Sequence, residues 1–236
     1  MQGDTVASDL VGKGLYTAPE AARLIGVRSR TIGRWLRGYR AHGQSYAALW
    51  EPEIDIGDGR LYLGFQDLME IRVAAALIMA GVPARHIRSA IEEARRLLGR
   101  DRPLSTNRFR TDGRQILLRV VDTDEDGKER ERLLGLFSRQ YEFNHVIDPI
   151  LRTVDFDETG DPNAWWPNGH RGRIVVDPER SFGQPIDAES SVPVSVLASA
   201  GRAHGPKTAA EAFLVSQAAV RRAMAFDAEL EARSAS

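Results

Sequence analysis

The apolar positions near the start of the chain predict two short helices over residues 17–40. Thr17 suits a helix N-cap, a proline follows in the first turn, and Glu20 stands at the third helical position. Gly26 ends this first helix, and Ser29 can cap a second one. Two helices separated by a glycine at this spacing are typical of a helix-turn-helix.

The rest of the chain alternates between helical and strand-like patterns. Ile54 and Ile56 alternate ahead of the turn dipeptide Asp58–Gly59, which predicts a hairpin over 53–63. The other predicted elements are helices over 65–79 and 84–98, strands over 116–121 and 132–138, a loop-like stretch over 155–171, a strand over 173–176, and helices over 193–202, 208–213 and 217–231. These elements predict an α+β fold that is mostly helical.

The 236 residues suffice for two or three small domains, and the order of elements divides them into four regions. We expect a disordered arm (1–14), a winged helix-turn-helix domain (15–98), a strand-rich middle region for dimerisation (99–171) and a small helical C-terminal domain (172–236).

The chain contains no cysteine. Disulfides, thiolate zinc sites and cysteine nucleophiles are thereby excluded, and the composition fits a reducing cytoplasm. No basic-then-apolar signal pattern opens the sequence, and its longest apolar stretch, 73–80, is far too short to span a bilayer. We therefore expect a cytoplasmic protein with no membrane partner.

Positive charge is concentrated at the N-terminal end, although the net charge of the whole chain is only −1. Residues 1–48 contain seven Lys or Arg and three acidic residues, a net charge of +4. Residues 101–170 contain ten basic and fourteen acidic residues, a net charge of −4. This asymmetry indicates that the first segment meets an anion.

The arginines of the second predicted helix are candidate DNA contacts. Arg30, Arg34 and Arg37 follow at i, i+4 and i+7 and share one face. Guanidinium groups there can reach guanine edges or phosphates. A merely solvated face would have the same spacing, but the helix-turn-helix landmarks around it favour DNA. The full candidate set is Thr17, Arg28, Ser29, Arg30, Thr31, Arg34, Arg37, Arg40, Arg60 and Tyr62.

Three landmarks follow the first two helices. They are Gly-Arg-Leu-Tyr at 59–62, Phe-Gln-Asp-Leu at 65–68 and Gly-Val-Pro-Ala-Arg-His-Ile at 81–87. With the helix-turn-helix they make residues 14 to about 98 resemble the DNA-binding half of the MerR family. The resemblance implies that the second helix enters the major groove, that Arg60 and Tyr62 of a wing touch the DNA backbone, and that a homodimer binds inverted half-sites of double-stranded operator DNA. A MerR protein continues into a long dimerisation helix, whereas 99–103 stop the helix here, so a sensing domain is not supported.

A second set of landmarks lies near the C-terminus. It comprises Gly-Arg-Ile-Val-Val-Asp-Pro at 172–178, Phe-Gly-Gln-Pro at 182–185, Val-Pro-Val at 192–194 and Val-Arg-Arg-Ala-Met at 220–224. This set is similar to a small domain of VapB-like antitoxins, in which a strand hairpin precedes a compact helix-turn-helix, although the family's Gly-Thr-Arg is absent. The resemblance implies a partner, a small PIN-like ribonuclease toxin. Gln217, Arg221 and Arg222 are a candidate second DNA contact, or part of a protein-binding cap.

Trp165 and Trp166 precede a proline and form a candidate partner-binding feature. The pair could be a structural plug against a core, or an anchor that docks into a pocket of the partner. Arg171 or Arg173, a few residues further on, is the candidate group that would cover the acidic metal site of the toxin.

The sequence offers no set of catalytic or metal-binding residues. Residues 122–127 imitate the first half of a calcium loop, but its twelfth position is Leu133, where a bidentate Glu is required. The five histidines form no i, i+4 pair, and nucleophile, P-loop and dinucleotide motifs are absent. We therefore expect no enzyme activity, no metal and no cofactor.

These features together favour an antitoxin that inhibits a ribonuclease toxin and represses its own promoter. The alternative is a MerR-like transcriptional regulator that responds to a small molecule and has no toxin partner.

Overall fold

The computed structural model describes residues 12–41, 43–122, 130–131, 133–134 and 140–234. These residues fall into two compact units that are interleaved along the chain. The first unit holds the described residues of Met1–Ser29, Glu53–Phe65 and Asn163–Ser236, and the second holds those of Arg30–Pro52 and Gln66–Pro162.

Helices dominate the described residues, and the strands between them are short. In chain order the elements are β1 (Tyr16–Thr17), α1 (Ala18–Ile25), α2 (Ser29–Arg37), β2 (Tyr39–Ala41), β3 (Gln44–Tyr46), β4 (Tyr62–Leu63), α3 (Phe65–Met79), α4 (Ala84–Leu98), α5 (Asn107–Asp122), α6 (Gln140–Leu151), β5 (Val154–Phe156), β6 (Pro162–Trp165), β7 (Ile174–Val176), β8 (Pro185–Asp187), α7 (Val194–Phe213) and α8 (Gln217–Ser234). Short 3₁₀ turns at His170–Gly172 and Ser181–Gly183 flank β7.

In the first unit the helices α7 and α8 pack against each other, and α8 also contacts α1. Gly201 permits this approach of α7 to α8, because a Cβ at this position would lie 2.7 Å from both Met224 Sδ and Val220 Cγ1. Strands β6, β7 and β8 form an antiparallel sheet in that order, with Val175 opposite Ile186. The small residues of α7 thus allow a close-packed helical pair beside this sheet.

In the second unit α5 packs against both α4 and α6. The rings of Phe109 and Phe143, both fully buried, meet edge to face with their centroids 6.0 Å apart. Two buried carboxylates on α3 tie down the chain ahead of α5. Asp67 accepts from Trp50 Nε1 at 3.0 Å, and Glu70 accepts from the backbone N–H groups of residues 104 and 105. Because those two N–H groups are buried, the carboxylate supplies the partners that they need.

The predicted helices 65–79 and 84–98 match α3 and α4, and the predicted strand 173–176 matches β7. The helices predicted over 193–202 and 208–213 both lie within α7, whose backbone leaves helical geometry at Gly205, where φ is +80°, so two helical segments meet at a kink before Pro206. The loop predicted over 155–171 was wrong in part, since β6 lies within it.

The strand predicted over 116–121 was wrong, because these residues belong to α5. Ile116, Leu117, Val120 and Val121 are all buried. Their spacing places them on one face of a helix, although the same run of branched residues also suits a strand. The middle region is therefore mainly helical where it is described. The returning strand expected over 132–138 and the calcium-like turn at 122–127 lie largely outside the described residues.

The hairpin predicted over 53–63 was also wrong. Asp55 Oδ1 accepts from Gly57 N, and Asp58 Oδ1 accepts from Arg60 N, both at 2.9 Å. These aspartate side chains form local turns where the backbone hydrogen bonds of a hairpin were expected. Strand β4 pairs instead with β1, with Tyr16 opposite Leu63. The sequence pattern did not predict the hairpin β2–β3, in which Arg40 lies opposite Ser45.

Candidate nucleic-acid interface

The first helix begins and ends as its sequence predicts. Thr17 Oγ1 accepts from Glu20 N at 3.4 Å, and Glu20 Oε2 accepts from Thr17 N at 2.8 Å, which completes a capping box. Gly26 closes the helix in the left-handed conformation, with φ +71°, and α2 begins at Ser29. The hydroxyl of Thr17 is thus engaged in capping, which gives this residue a structural role within the predicted DNA-binding set.

Helix α2 has one apolar side and one basic side. Ile32 and Leu36 are buried, whereas Arg30, Arg34 and Arg37 are exposed. Two further predicted contacts, Arg28 and Arg40, are also exposed, and Ser29 and Thr31 are half-buried.

The basic side of α2 is free of acidic neighbours in sequence. No acidic residue lies between Glu20 and Glu51. Within the described part of the chain, no carboxylate pairs with Arg28, Arg34 or Arg40, and the same holds for Arg30. Their charge therefore remains available to a phosphate or to a base edge.

An aromatic stack links α2 to the hairpin β2–β3. The guanidinium carbon of Arg34 lies 3.8 Å from the ring centroid of Tyr39. Tyr39 in turn stacks on Tyr46, with 4.6 Å between the ring centroids and 11° between their planes. At the hairpin surface Arg40 Nε donates to Ser45 Oγ at 3.1 Å. Apart from Arg34 and Arg40, the sequence prediction missed this arrangement; two tyrosines flanking Gly43 were the only signal for it.

The predicted wing contacts lie in an acidic setting. Arg60 Nε is 3.9 Å from Asp58 Oδ2, and the Tyr62 hydroxyl donates to the same oxygen at 2.9 Å. The backbone N–H of Arg60 is the main group that holds the pKa of Asp58 below its usual value, and the Tyr62 hydroxyl adds to the effect. The Asp58 carboxylate is therefore ionised at neutral pH and faces both predicted contacts.

The tandem tryptophans divide into a buried member and a half-exposed member. Trp165 is buried within the first unit, which is the behaviour of a structural plug. Trp166 is half-buried and stacks on His170 with 4.6 Å between the ring centroids. Arg171 is exposed, and Arg173, also exposed, forms an ion pair with Glu189.

An internal ion pair removes one residue from the predicted second DNA contact on α8. Gln217 and Arg221 are exposed, and Arg221 Nη2 donates to Gln217 Oε1 at 3.3 Å. Arg222, the third residue of this candidate set, is not exposed. It is half-buried and pairs with the buried carboxylate of Asp187, with Nη2 and Oδ1 3.1 Å apart.

Among the described residues, no cluster of three or more His, Cys, Asp or Glu side chains is arranged to hold a metal ion. In the same part of the chain, no helix is both long enough and apolar enough to cross a membrane.

Comparison with known proteins defines the class of the N-terminal part. Residues 14–91 match a family described as "Putative DNA-binding HTH domain". The N-terminal part of the chain therefore carries a helix-turn-helix domain similar to that family, and residues 14–91 include α1, α2 and the hairpin β2–β3.

Two relatives extend the comparison to most of the chain. A protein of Mycobacterium tuberculosis (strain ATCC 25618 / H37Rv) named "Putative antitoxin VapB45" is 28% identical over 191 residues, which is 77% of this chain and 80% of that protein. The crystal structure of Rv2018 from Mycobacterium tuberculosis shares the fold, with a TM-score of 0.66 and 24% sequence identity over 89% of this chain and 96% of that one. The chain is thus similar to a VapB antitoxin and carries a helix-turn-helix. The MerR resemblance and the resemblance of the C-terminal region stay predictions.

Proposed function

We propose that this chain is a DNA-binding antitoxin. It binds and inhibits a PIN-like ribonuclease toxin and, as a homodimer, binds operator DNA to repress its own promoter. The observation that carries the proposal is the similarity to VapB45 over 191 residues, which extends well beyond the helix-turn-helix match. The chain acts in this proposal by binding, without chemistry of its own.

The DNA-binding part of the proposal rests on the exposed arginines of the α2 segment. Four of them, Arg28, Arg30, Arg34 and Arg40, lack carboxylate partners in the described part of the chain. If each neutralises one phosphate, the logarithm of the affinity falls by about four per tenfold increase in salt for one copy of the chain, and by about twice that for a dimer.

A binding titration tests this part. Fluorescence anisotropy of a labelled duplex from the region upstream of the gene is measured with the full-length protein at several salt concentrations. We expect R30A to weaken binding and to make the salt dependence shallower. R108A, which removes an exposed arginine from the first turn of α5, is the matched control and should bind as the unchanged protein does. Equal binding by R30A and the unchanged protein would show that DNA is contacted by a part of the chain other than α2.

The toxin-binding part of the proposal rests on the segment after Trp165. Trp165 is buried and anchors the start of this segment in the core of the first unit, whereas Trp166 is half-buried. Of the two candidate arginines, Arg173 is already paired with Glu189, and Arg171 has no acidic partner among the described residues. Arg171 is therefore the better candidate for covering an acidic metal site.

Co-expression with the product of the adjacent gene tests this part. We expect the two proteins to co-purify and the ribonuclease activity of the neighbour to be inhibited. The double variant W166A/R171A should lose both properties, whereas K207A, which changes an exposed cationic residue of the same unit, should keep them. A neighbour that is neither captured nor inhibited would refute the antitoxin assignment and leave the DNA-binding part standing.

A further inference from the structure

We propose that the hairpin β2–β3 is a second DNA-contacting element, and that the stack of Arg34, Tyr39 and Tyr46 fixes it beside α2. Its exposed side chains Arg40 and Gln44 meet the sugar–phosphate backbone that borders the groove occupied by α2. This inference rests on the proposed DNA binding by α2.

The stack joins the hairpin to the helix through three side chains. Arg34 lies over Tyr39 at 3.8 Å, and Tyr39 lies nearly parallel to Tyr46. A guanidinium over an aromatic face at an exposed site is stabilised by about 0.5–1 kcal/mol, which favours the rotamer that makes this contact. Arg34 is thereby oriented before DNA arrives, so less conformational entropy is lost on binding.

The link between the two elements is a glycine that no other residue can replace without movement. Gly38 joins Arg37, the last residue of α2, to Tyr39, the first residue of β2, and its φ is +71°. A Cβ at Gly38 would collide with the backbone carbonyl oxygen of Tyr46 and lie 3.1 Å from Ala47 C. The hairpin therefore folds back directly against the end of the helix instead of hanging from it by a flexible linker.

The dimensions of the hairpin suit a duplex. Each strand has three residues, so the hairpin extends about 10 Å from the end of α2. The major groove of B-DNA is about 12 Å wide. A hairpin of this length at the end of a helix in the groove reaches the bordering phosphates, and Arg40, Gln44 and Ser45 supply exposed donors along it.

The positive charge of the hairpin favours a negatively charged partner such as DNA. Arg40 has no carboxylate partner in the described part of the chain, and the nearest acidic residues in sequence are Glu20 and Glu51. Donors that contact phosphates fix the orientation of a protein on the duplex, while base edges are read by groups in the groove. Arg40 is thus assigned to phosphate contact and Arg34 to the groove.

Duplex binding by the full-length protein tests the inference. The probes are the labelled upstream duplex and a scrambled duplex of the same length and composition, titrated over a range of salt concentrations. We expect R40Q to weaken binding to both duplexes about three- to tenfold and to reduce the salt slope by about one. Y39A should weaken binding to the upstream duplex by about threefold or more, whereas Y39F, which keeps the ring, should bind within about twofold of the unchanged protein. Thermal melting of each variant verifies the fold.

The outcomes separate this inference from the proposed function. If R30A loses affinity while R40Q and Y39A bind normally, the hairpin assignment is overturned and DNA binding by α2 stands. If the unchanged protein binds neither duplex, the proposed DNA binding itself fails. If R40Q binds both duplexes normally but no longer captures the product of the adjacent gene, the hairpin is a protein-binding surface, and the assignment to DNA is again overturned.

Discussion

Replacement of Glu70 by Gln is expected to remove a specific pH dependence of stability. The Glu70 side chain is fully buried on α3, and its carboxylate accepts from Leu104 N at 3.1 Å and from Ser105 N at 2.9 Å. Desolvation by burial dominates over these two hydrogen bonds and raises the pKa of Glu70 from 4.5 to about 7.

The sign of the effect follows from the two protonation equilibria of Glu70. Below pH 4.5 this group is protonated in both the folded and the unfolded chain. Between pH 4.5 and 7 the folded chain keeps the proton while the unfolded chain releases it, so the free energy of unfolding falls as the pH rises. Above pH 7 both states are ionised, and the full loss has occurred. The shift corresponds to about 3 kcal/mol.

Urea denaturation followed by tryptophan fluorescence measures this difference at intervals from pH 4 to pH 8. Trp50 is a suitable reporter because its indole N–H donates to Asp67 in the same part of the unit. E70Q also loses one hydrogen bond at every pH, so the difference between the two pH profiles is the informative quantity. We expect the unchanged protein to lose about 3 kcal/mol relative to E70Q between pH 4.5 and 7. E92Q removes an exposed carboxylate from α4 and should follow the unchanged protein. Parallel profiles for E70Q and the unchanged protein would refute the reasoning.

Three other substitutions test single contacts. T17A removes the N-cap of α1 and should cost about 1 kcal/mol in urea denaturation; a change in the salt slope of DNA binding would show that Thr17 also touches DNA. R222A leaves the carboxylate of Asp187 buried without its arginine and should cost about 3 kcal/mol. A cost below about 1 kcal/mol would show that the pair contributes no more to stability than a solvent-exposed one. G201A places a methyl group against a methionine sulfur of α8 and should lower the free energy of unfolding by about 1–3 kcal/mol. G33A is its control, because a Cβ there meets open space on α2 and should raise stability by about 0.5–1 kcal/mol.

Local chemistry made much of the helical structure predictable. The capping box at Thr17, the left-handed Gly26 and the sharp boundaries of α4 are each specified by residues within one turn of the helix end. The arginine face of α2 was predictable for the same reason, because its apolar side is defined by Ile32 and Leu36 a few residues apart.

Features that depend on a distant partner were not predictable from the pattern. Strand β4 was expected to pair with residues 54–56, which alternate correctly, but its partner is β1, more than forty residues earlier. The run Ile116–Val121 contains adjacent branched residues that suit either state, and packing against α4 and α6 decides for a helix. Arg222 has the spacing of an exposed residue, yet Asp187, thirty-five residues earlier, pairs with it.

The distribution of charge within residues 20–60 argues that DNA is contacted by α2 and β2–β3 rather than by the segment that was expected to be a wing. Residues 21–50 contain arginines and no acidic residue, whereas Glu51, Glu53, Asp55 and Asp58 follow within the next eight positions. A phosphate that approaches Arg60 also approaches the ionised carboxylate of Asp58, which lies 3.9 Å from the guanidinium. The phosphate and this carboxylate carry like charges and repel each other, which offsets part of the attraction of a single exposed arginine. Arg40 has no carboxylate partner among the described residues, so replacing Arg40 should weaken DNA binding more than replacing Arg60. A larger loss of affinity on replacing Arg60 would show that residues 53–63 contact DNA as a wing, as the sequence predicted.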